Sequence, residues 1–128
     1  ADPAMRRAMQ KIAEAATAPR SVRHARAETV IAVIETHFGL DPGTLTRATR
    51  ERRHSLPRQI AYTLLYRDWG FSLKAVGRLI GRDHSSVMSG MKALDRKIAT
   101  SPQLAHDVRE IRETIIAHIQ LAASTDTP

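Results

Sequence analysis

The chain of 128 residues is one domain's worth, long enough for one modest core and too short for two. It has no cysteine, which excludes disulfides and thiolate metal sites, and no apolar run long enough to span a bilayer. Twenty Lys and Arg against thirteen Asp and Glu leave a net charge of +7; that balance points to a polyanion, nucleic acid before an anionic membrane, although basic proteins that are merely soluble are also common.

Taken in order, residues 1–20 read as an N-terminal extension, with Ala1 to Ala4 as an expression scar ahead of a native Met5. Arg6, Arg7 and Lys11 alternate with Met and Ala, so no signal peptide is expected and the cytoplasm is the expected compartment. An Ala-rich segment from Met5 to Ala16 is interrupted at Pro19. The domain proper spans 21–122. It opens with a helix over about Val22 to Phe38, on which Val30, Ile31, Val33, Ile34 and Phe38 recur at helical spacing, and Gly39 closes it. Asp41-Pro42 offers a cap and a first-turn proline for a brief second turn anchored by Leu40 and Leu45.

The pattern then breaks. Thr46 to His54 holds four arginines, Arg47, Arg50, Arg52 and Arg53, and no large apolar residue, so it reads as an exposed basic loop with nothing to bury. Ser55-Leu56-Pro57 restarts a helix with the stripe Ile60, Ala61, Leu64, Leu65 and Trp69, ended by Gly70. Ser72 caps a short helix carrying Leu73, Val76, Leu79 and Ile80. Gly81-Arg82-Asp83 is a tight connection, and Asp83 caps a helix from His84 to about Ala99 that buries Val87, Met91, Leu94 and Ile98. Ser101-Pro102 opens a final helix to about Ala122 with the stripe Leu104, Val108, Ile111, Ile115 and Ile119, and 123–128 is a flexible tail. Strand signals are missing: there is no sustained β-branched alternation and no Asn-Gly or Asp-Gly hairpin turn. The expected fold class is therefore all-α, a compact helical bundle.

Two short helices joined by a three-residue turn, the second starting polar and turning apolar, make a helix-turn-helix. A recognition helix must show short polar side chains to base edges on its first exposed turns while its inner face packs on the preceding helix. Asp83, His84, Ser85, Ser86, Ser89 and Lys92 supply donors and acceptors, and Gly90 lets a neighbour come close. Asp83 and Ser85 also suit a plain structural cap, so this segment alone leaves the two readings level. The arginine loop tips the balance. It lies just before a helix start carrying Arg58 and Gln59, and an arginine in a loop suits a narrow minor groove.

The stretch Pro57-Arg58-Gln59-Ile60-Ala61, then Ser72-Leu73, then Gly81-Arg82-Asp83-His84-Ser85-Ser86-Val87 resembles the C-terminal DNA-binding domain, domain IV, of the bacterial replication initiator DnaA. The resemblance covers roughly 29–116. It implies a helical module that reads a short asymmetric duplex site, the DnaA box, and a place near the nucleoid. By position it implies Arg50 as the minor-groove arginine, with Arg47, Arg52 and Arg53 in the same loop. It implies Arg58 and Gln59 as helix-start contacts, Leu73 and Lys74 at the start of the first helix of the motif, and Lys92 on a phosphate. It implies Asp83, His84, Ser85 and Ser86 as the residues that reach bases and nearby phosphates, and Arg82 and Ser89 are counted with them as DNA-binding candidates. The helix over 84–99 would lie in the major groove and the loop 47–54 in the minor groove of double-stranded DNA.

This chain departs from the pattern. Both signature hydroxyls are Ser where Thr is usual, so the methyl that packs on a thymine methyl is missing. The turn is one glycine shorter than the common Gly-Gly form, and Lys74 replaces a frequent Pro. No Gly-x-x-x-x-Gly-Lys-Ser/Thr loop occurs, so no ATPase module is expected, and the extension and long final helix suggest a stand-alone relative. The six histidines show no i,i+4 pair and no His-Glu-x-x-His pattern, so neither metal nor cofactor is expected. No acid, base and nucleophile set is assembled, so the chain is read as no enzyme, and the aromatic residues are too few for a single-strand binder. The competing reading is a protein-interaction module docking a partner through the final helix. The stripe on that helix, 102–122, packs inside the chain or forms a homodimer seam.

Overall fold

A computed structural model describes residues 3–17, 20–47 and 54–125. Among them every regular element is helical, in the order α1 (Pro3–Thr17), α2 (Arg20–His37), a 3₁₀ turn (Thr44–Thr46), α3 (Ser55–Thr63), a π-helical turn (Leu64–Asp68), α4 (Leu73–Ile80), α5 (His84–Thr100) and α6 (Pro102–Thr125). No described helix is long and apolar enough to cross a membrane. The all-α bundle expected from the spacing is the fold observed. Arg50, Arg52 and Arg53, with the rest of 48–53, lie outside the described residues, as do 1–2 and 126–128.

The core is one cluster fed by each helix from α2 onward. Val30 and Ile34 of α2, Ile60 and Ala61 of α3, Leu64 and Leu65 of the π turn, and Val76 and Ile80 of α4 are fully buried. Val87 and Leu94 of α5 join them, with Val108, Ile111 and Ile115 of α6. These residues recur every three or four positions, so each helix turns one stripe inward. α6 packs on α2 and α5, which places its stripe within the chain. The surface that a dimer seam or a docked partner would need from Val108, Ile111 and Ile115 is thereby already used.

Several expectations are corrected by local physics. α2 starts at Arg20, the residue after Pro19, and α6 runs to Thr125, both beyond the expected ends; Ala122, Ala123 and Ser124 include no glycine or proline to stop α6. The short turn begins at Thr44 rather than after Asp41-Pro42; the Thr44 backbone N–H donates to the Asp41 carbonyl at 3.1 Å, so Asp41 contributes its main chain. That turn is pinned by a buried carboxylate: Glu35, 4% exposed, accepts from the Leu45 backbone N–H at 3.0 Å. His54, assigned to an exposed loop, is 4% exposed and sits against the start of α3. The helix begun at Ser55 also widens at Leu64, where Trp69 N–H donates to the Leu64 carbonyl at 3.0 Å across five residues.

That wider turn joins two neighbours. Arg67 forms a two-pronged pair with Asp95 of α5, at 2.7 and 2.9 Å, while the next residue, Asp68, pairs with Arg112 of α6. One irregular turn thus fixes α3 to both of the helices that follow α4. At the other end, Arg23 of α2 lies 4.7 Å over the Phe71 ring and donates to the Gly70 carbonyl, closing the start of α4 onto α2.

Candidate nucleic-acid interface

The site is built on the start of α5. Asp83 is its N-cap: Oδ1 accepts from the Ser86 backbone N–H at 2.8 Å, as Ser72 Oγ accepts from Ala75 N–H at 3.1 Å to start α4. The bonds from Ser86, backbone first and hydroxyl second, hold the Asp83 carboxyl below the usual carboxylate range. Between the two helices Gly81 turns the chain at φ 74°, and Arg82 N–H donates to the Gly77 carbonyl at 2.9 Å. A Cβ on Gly77 would stand 2.5 Å from the Arg82 carbonyl oxygen, so this turn closes only over a glycine. The three-residue connection and its angle are therefore set by backbone contact.

With Val87, Met91 and Leu94 buried, the opposite side of α5 carries His84, Ser85, Ser86, Ser89 and Lys92, all exposed. Among the described residues the Ser85 and Ser89 hydroxyls and the Lys92 ammonium have no side-chain partner, while the Ser85 backbone N–H, like that of Ser86, serves the Asp83 cap. Donors and acceptors are thus held on a rigid helix with their hydrogen-bonding capacity unspent.

Beside this face a polar cleft of about 460 Å³ separates α3 from α5. Arg58, Gln59 and Tyr62 line it from α3, Arg82 from the turn, and Ser86, Ser89 and Arg96 from α5. Its floor explains Gly90: a Cβ there would meet the Tyr62 ring at 2.7 Å, so the neighbour that comes close is a tyrosine of the same chain. Burial pushes the Tyr62 phenol up, opposed by the nearby Arg82 and Arg58 guanidiniums, which marks the cleft as positively charged.

The residues picked from sequence fall into three groups. Arg82, Asp83, His84, Ser85, Ser86, Ser89 and Lys92 come together on one surface with the cleft. Arg58 and Gln59 join them in altered form. Arg58 is 6% exposed, so it charges the cleft from beneath, and Gln59 Oε1 already accepts from Lys97 Nζ at 2.8 Å. Leu73, half-buried, and Lys74, exposed, stand at the start of α4, and Arg47 is exposed after the 3₁₀ turn. Sequence reasoning missed Arg96 and Lys97. Both sit where the helix pattern reads as ordinary solvated surface, and only the approach of α3 brings Arg96 to the cleft and Lys97 to Gln59.

The family model described as the bacterial DnaA protein helix-turn-helix matches residues 27–94, from α2 through the buried Leu94. The chromosomal replication initiator protein DnaA of Chloroflexus aggregans is 35% identical over 94 residues, 73% of this chain and 20% of that protein. The DnaA protein of Thermomicrobium roseum is 37% identical over 86 residues, 66% of this chain and 18% of its own length. For the Deinococcus radiodurans protein the identity is 31% over 86 residues, 67% of this chain and 18% of the relative. The chain spans about a fifth of the length of these curated relatives. No solved structure matches it.

Proposed function

The chain belongs to the bacterial DnaA helix-turn-helix family, and from that premise we propose that it binds duplex DNA at a defined sequence, as a monomer and without nucleotide, metal or ATPase activity. α5 enters the major groove. His84, Ser85, Ser89 and Lys92 address base edges and adjacent phosphates, while Asp83 and Ser86 hold the helix start in register. Arg58, Arg82 and Arg96 form a seat for a backbone phosphate, and Leu73 and Lys74 meet the backbone on the far side of the groove. The segment 47–54 reaches the neighbouring minor groove through Arg50, with Arg47, Arg52 and Arg53 adding charge. Occupying initiator sites would place the protein with the chromosome in the cytoplasm, acting on replication initiation or transcription. The observation that carries this reading is the polar outward face of α5, with the Ser85 and Ser89 hydroxyls and the Lys92 ammonium unspent, beside a cleft lined by arginines.

The test is a titration of the full chain with a duplex selected from a random pool and with its scrambled counterpart, at 50 to 200 mM salt. The expected affinity for the selected duplex is about 10⁻⁸ M or tighter at moderate salt, with scrambled duplex orders of magnitude weaker. Both should fall steeply as salt rises. Duplexes differing only in the A·T content of one flank should be distinguished by the native chain and not by Arg50→Ala. Equal affinity for selected and scrambled duplex, or binding indifferent to salt, would return the chain to the protein-docking reading.

A further inference from the structure

The recognition surface contains one residue that does not suit a polar reader. On α5 the positions i, i+3, i+4 and i+7 from Ser85 are Ser85, Met88, Ser89 and Lys92, and all four are exposed. Met88 is 38% exposed, and it is the one exposed large apolar side chain on this helix among the described residues; the others are Met5, Met9, Val22, Tyr66 and Leu121. The inner stripe of Val87, Met91 and Leu94 is complete without it, so core packing gives no reason for an apolar residue here.

The chemistry of the major groove gives one. Base edges there present nitrogen and oxygen donors and acceptors and a single apolar group, the 5-methyl of thymine. The other members of the face are imidazole, hydroxyl and ammonium groups, and none of the serines carries a methyl. We infer that Met88 is the thymine-selecting residue of α5, packing the end of its side chain on a thymine 5-methyl group. A thioether on an unbranched stem adapts to where that methyl falls along the groove, which a β-branched residue at the same position would not do. Ser85 and Ser89 then satisfy the polar edges on either side, and the loss of methyls at the two serines that open the helix is made good one turn later.

This inference rests on the reading of α5 as a major-groove helix, and the experiment separates the two. In the selected duplex each thymine is replaced in turn by deoxyuridine, which removes only the methyl. The native chain, Met88→Ala and Met88→Leu are titrated against the series and against scrambled duplex. For the native chain, one thymine should lose about fourfold on methyl removal, the value of one buried methyl. Met88→Ala should bind the unmodified duplex at least about fourfold more weakly, show no further loss at that thymine, and keep its melting temperature and its binding to scrambled duplex. Met88→Leu should restore most of the sensitivity. If Met88→Ala keeps the full methyl sensitivity, or if no thymine responds in a chain that prefers the selected duplex, the inference fails and the major-groove reading stands. If the native chain shows no preference at all, both fall.

Discussion

α5 and α6 begin in the same way and share one core. Asp83 caps α5 through Ser86 N–H, and Ser101 Oγ caps α6 by accepting from Leu104 N–H at 3.2 Å. Each then buries an apolar stripe against the same cluster. Their outer faces differ. On α6 part of the polar surface is paired along the helix: Gln103 with Asp107 at 2.9 Å, His106 with Glu110 at 3.2 Å, His118 with the Thr114 carbonyl at 3.0 Å. On α5 the second half is similarly paired, Asp95 to Arg67 and Lys97 to Gln59, while among the described residues the side chains of Ser85, Ser89 and Lys92 in the first half have no side-chain partner. Hydrophobic periodicity is equal on the two helices and marks no function. What sets the start of α5 apart is a cluster of hydroxyls and an ammonium with no side-chain partner among the described residues, each a hydrogen bond available to a ligand at no cost to the fold.

The largest expected effect tests that contrast directly. Ser85→Ala should cost about 1–3 kcal/mol of binding to the selected duplex, with scrambled-duplex binding and the melting temperature unchanged, because the hydroxyl has no role in the folded chain. Glu110→Ala on the outer face of α6 should move both quantities by no more than about 0.5 kcal/mol, the usual size for an exposed i,i+4 pair. Ser86→Ala is a poorer probe, since its hydroxyl also bonds Asp83. A fall in melting temperature with parallel loss on both duplexes would make Ser85 part of the helix start and erase the contrast.

Where sequence and structure part company, long-range approach decides. Helix positions, the caps at Ser72, Asp83 and Ser101, and the three-residue turn follow from spacing within one or two helical turns. All were legible. The π turn was not, because Leu64 and Leu65 suit the inner side of an α-helix equally well; the widening is fixed by Arg67 and Asp68, which find partners 28 and 44 residues away. The buried His54, the Glu35 anchor under Leu45, and the tethering of Gln59 are of the same kind. The polar face of α5 was legible because a cap, a polar turn and an apolar stripe all lie within the twelve residues from Asp83 to Leu94. Arg96 was not, since its place in the cleft depends on where α3 crosses.

A smaller effect is expected at the pair that holds α6 to the π turn, and it should show the opposite pattern. Burial raises the Asp68 carboxyl above its usual range, with the Arg112 charge working against the shift. The sign follows: a raised value means that the Asp68 contribution is fully present below the unfolded value and declines as pH rises through the folded one. Removing Arg112 strands a carboxylate whose side chain is 16% exposed, whereas Asp68→Asn removes the charge that burial penalises. Arg112 is itself 41% exposed, so the cost of Arg112→Ala is discounted from the buried-pair range to about 1 kcal/mol. That corresponds to a fall of roughly 3–5 °C in melting temperature, with Asp68→Asn milder and DNA affinity untouched in both. Loss of affinity in Arg112→Ala at temperatures where it is fully folded would show that α6 contributes to the interface after all.

The smallest effect concerns Asp83, the one acid on the polar start of α5. Its exposed carboxylate is committed to the helix cap, and bonding from Ser86 keeps its folded pKa below the unfolded value. A lowered value means that the cap stabilises α5 at all pH above the ordinary aspartate range near 4 and is lost only as pH falls through the depressed value. Melting temperature should therefore be insensitive to Asp83 from pH 5 to 8 and decline in acid. Asp83→Asn keeps an acceptor that caps as well but does not titrate, so it should remove this part of the acid decline. At neutral pH the same substitution deletes a negative charge from the face proposed to meet the DNA phosphates. Binding should tighten by on the order of twofold to fivefold on every duplex, less so at high salt. A carboxylate that instead accepted from a cytosine amino group would give a different signature: discrimination lost at a single C·G pair, with the other positions unaffected. Titrating the native chain and Asp83→Asn against every single-base variant of the selected duplex separates the two, and a loss confined to one pair would move Asp83 from the frame of the reader to its reading face.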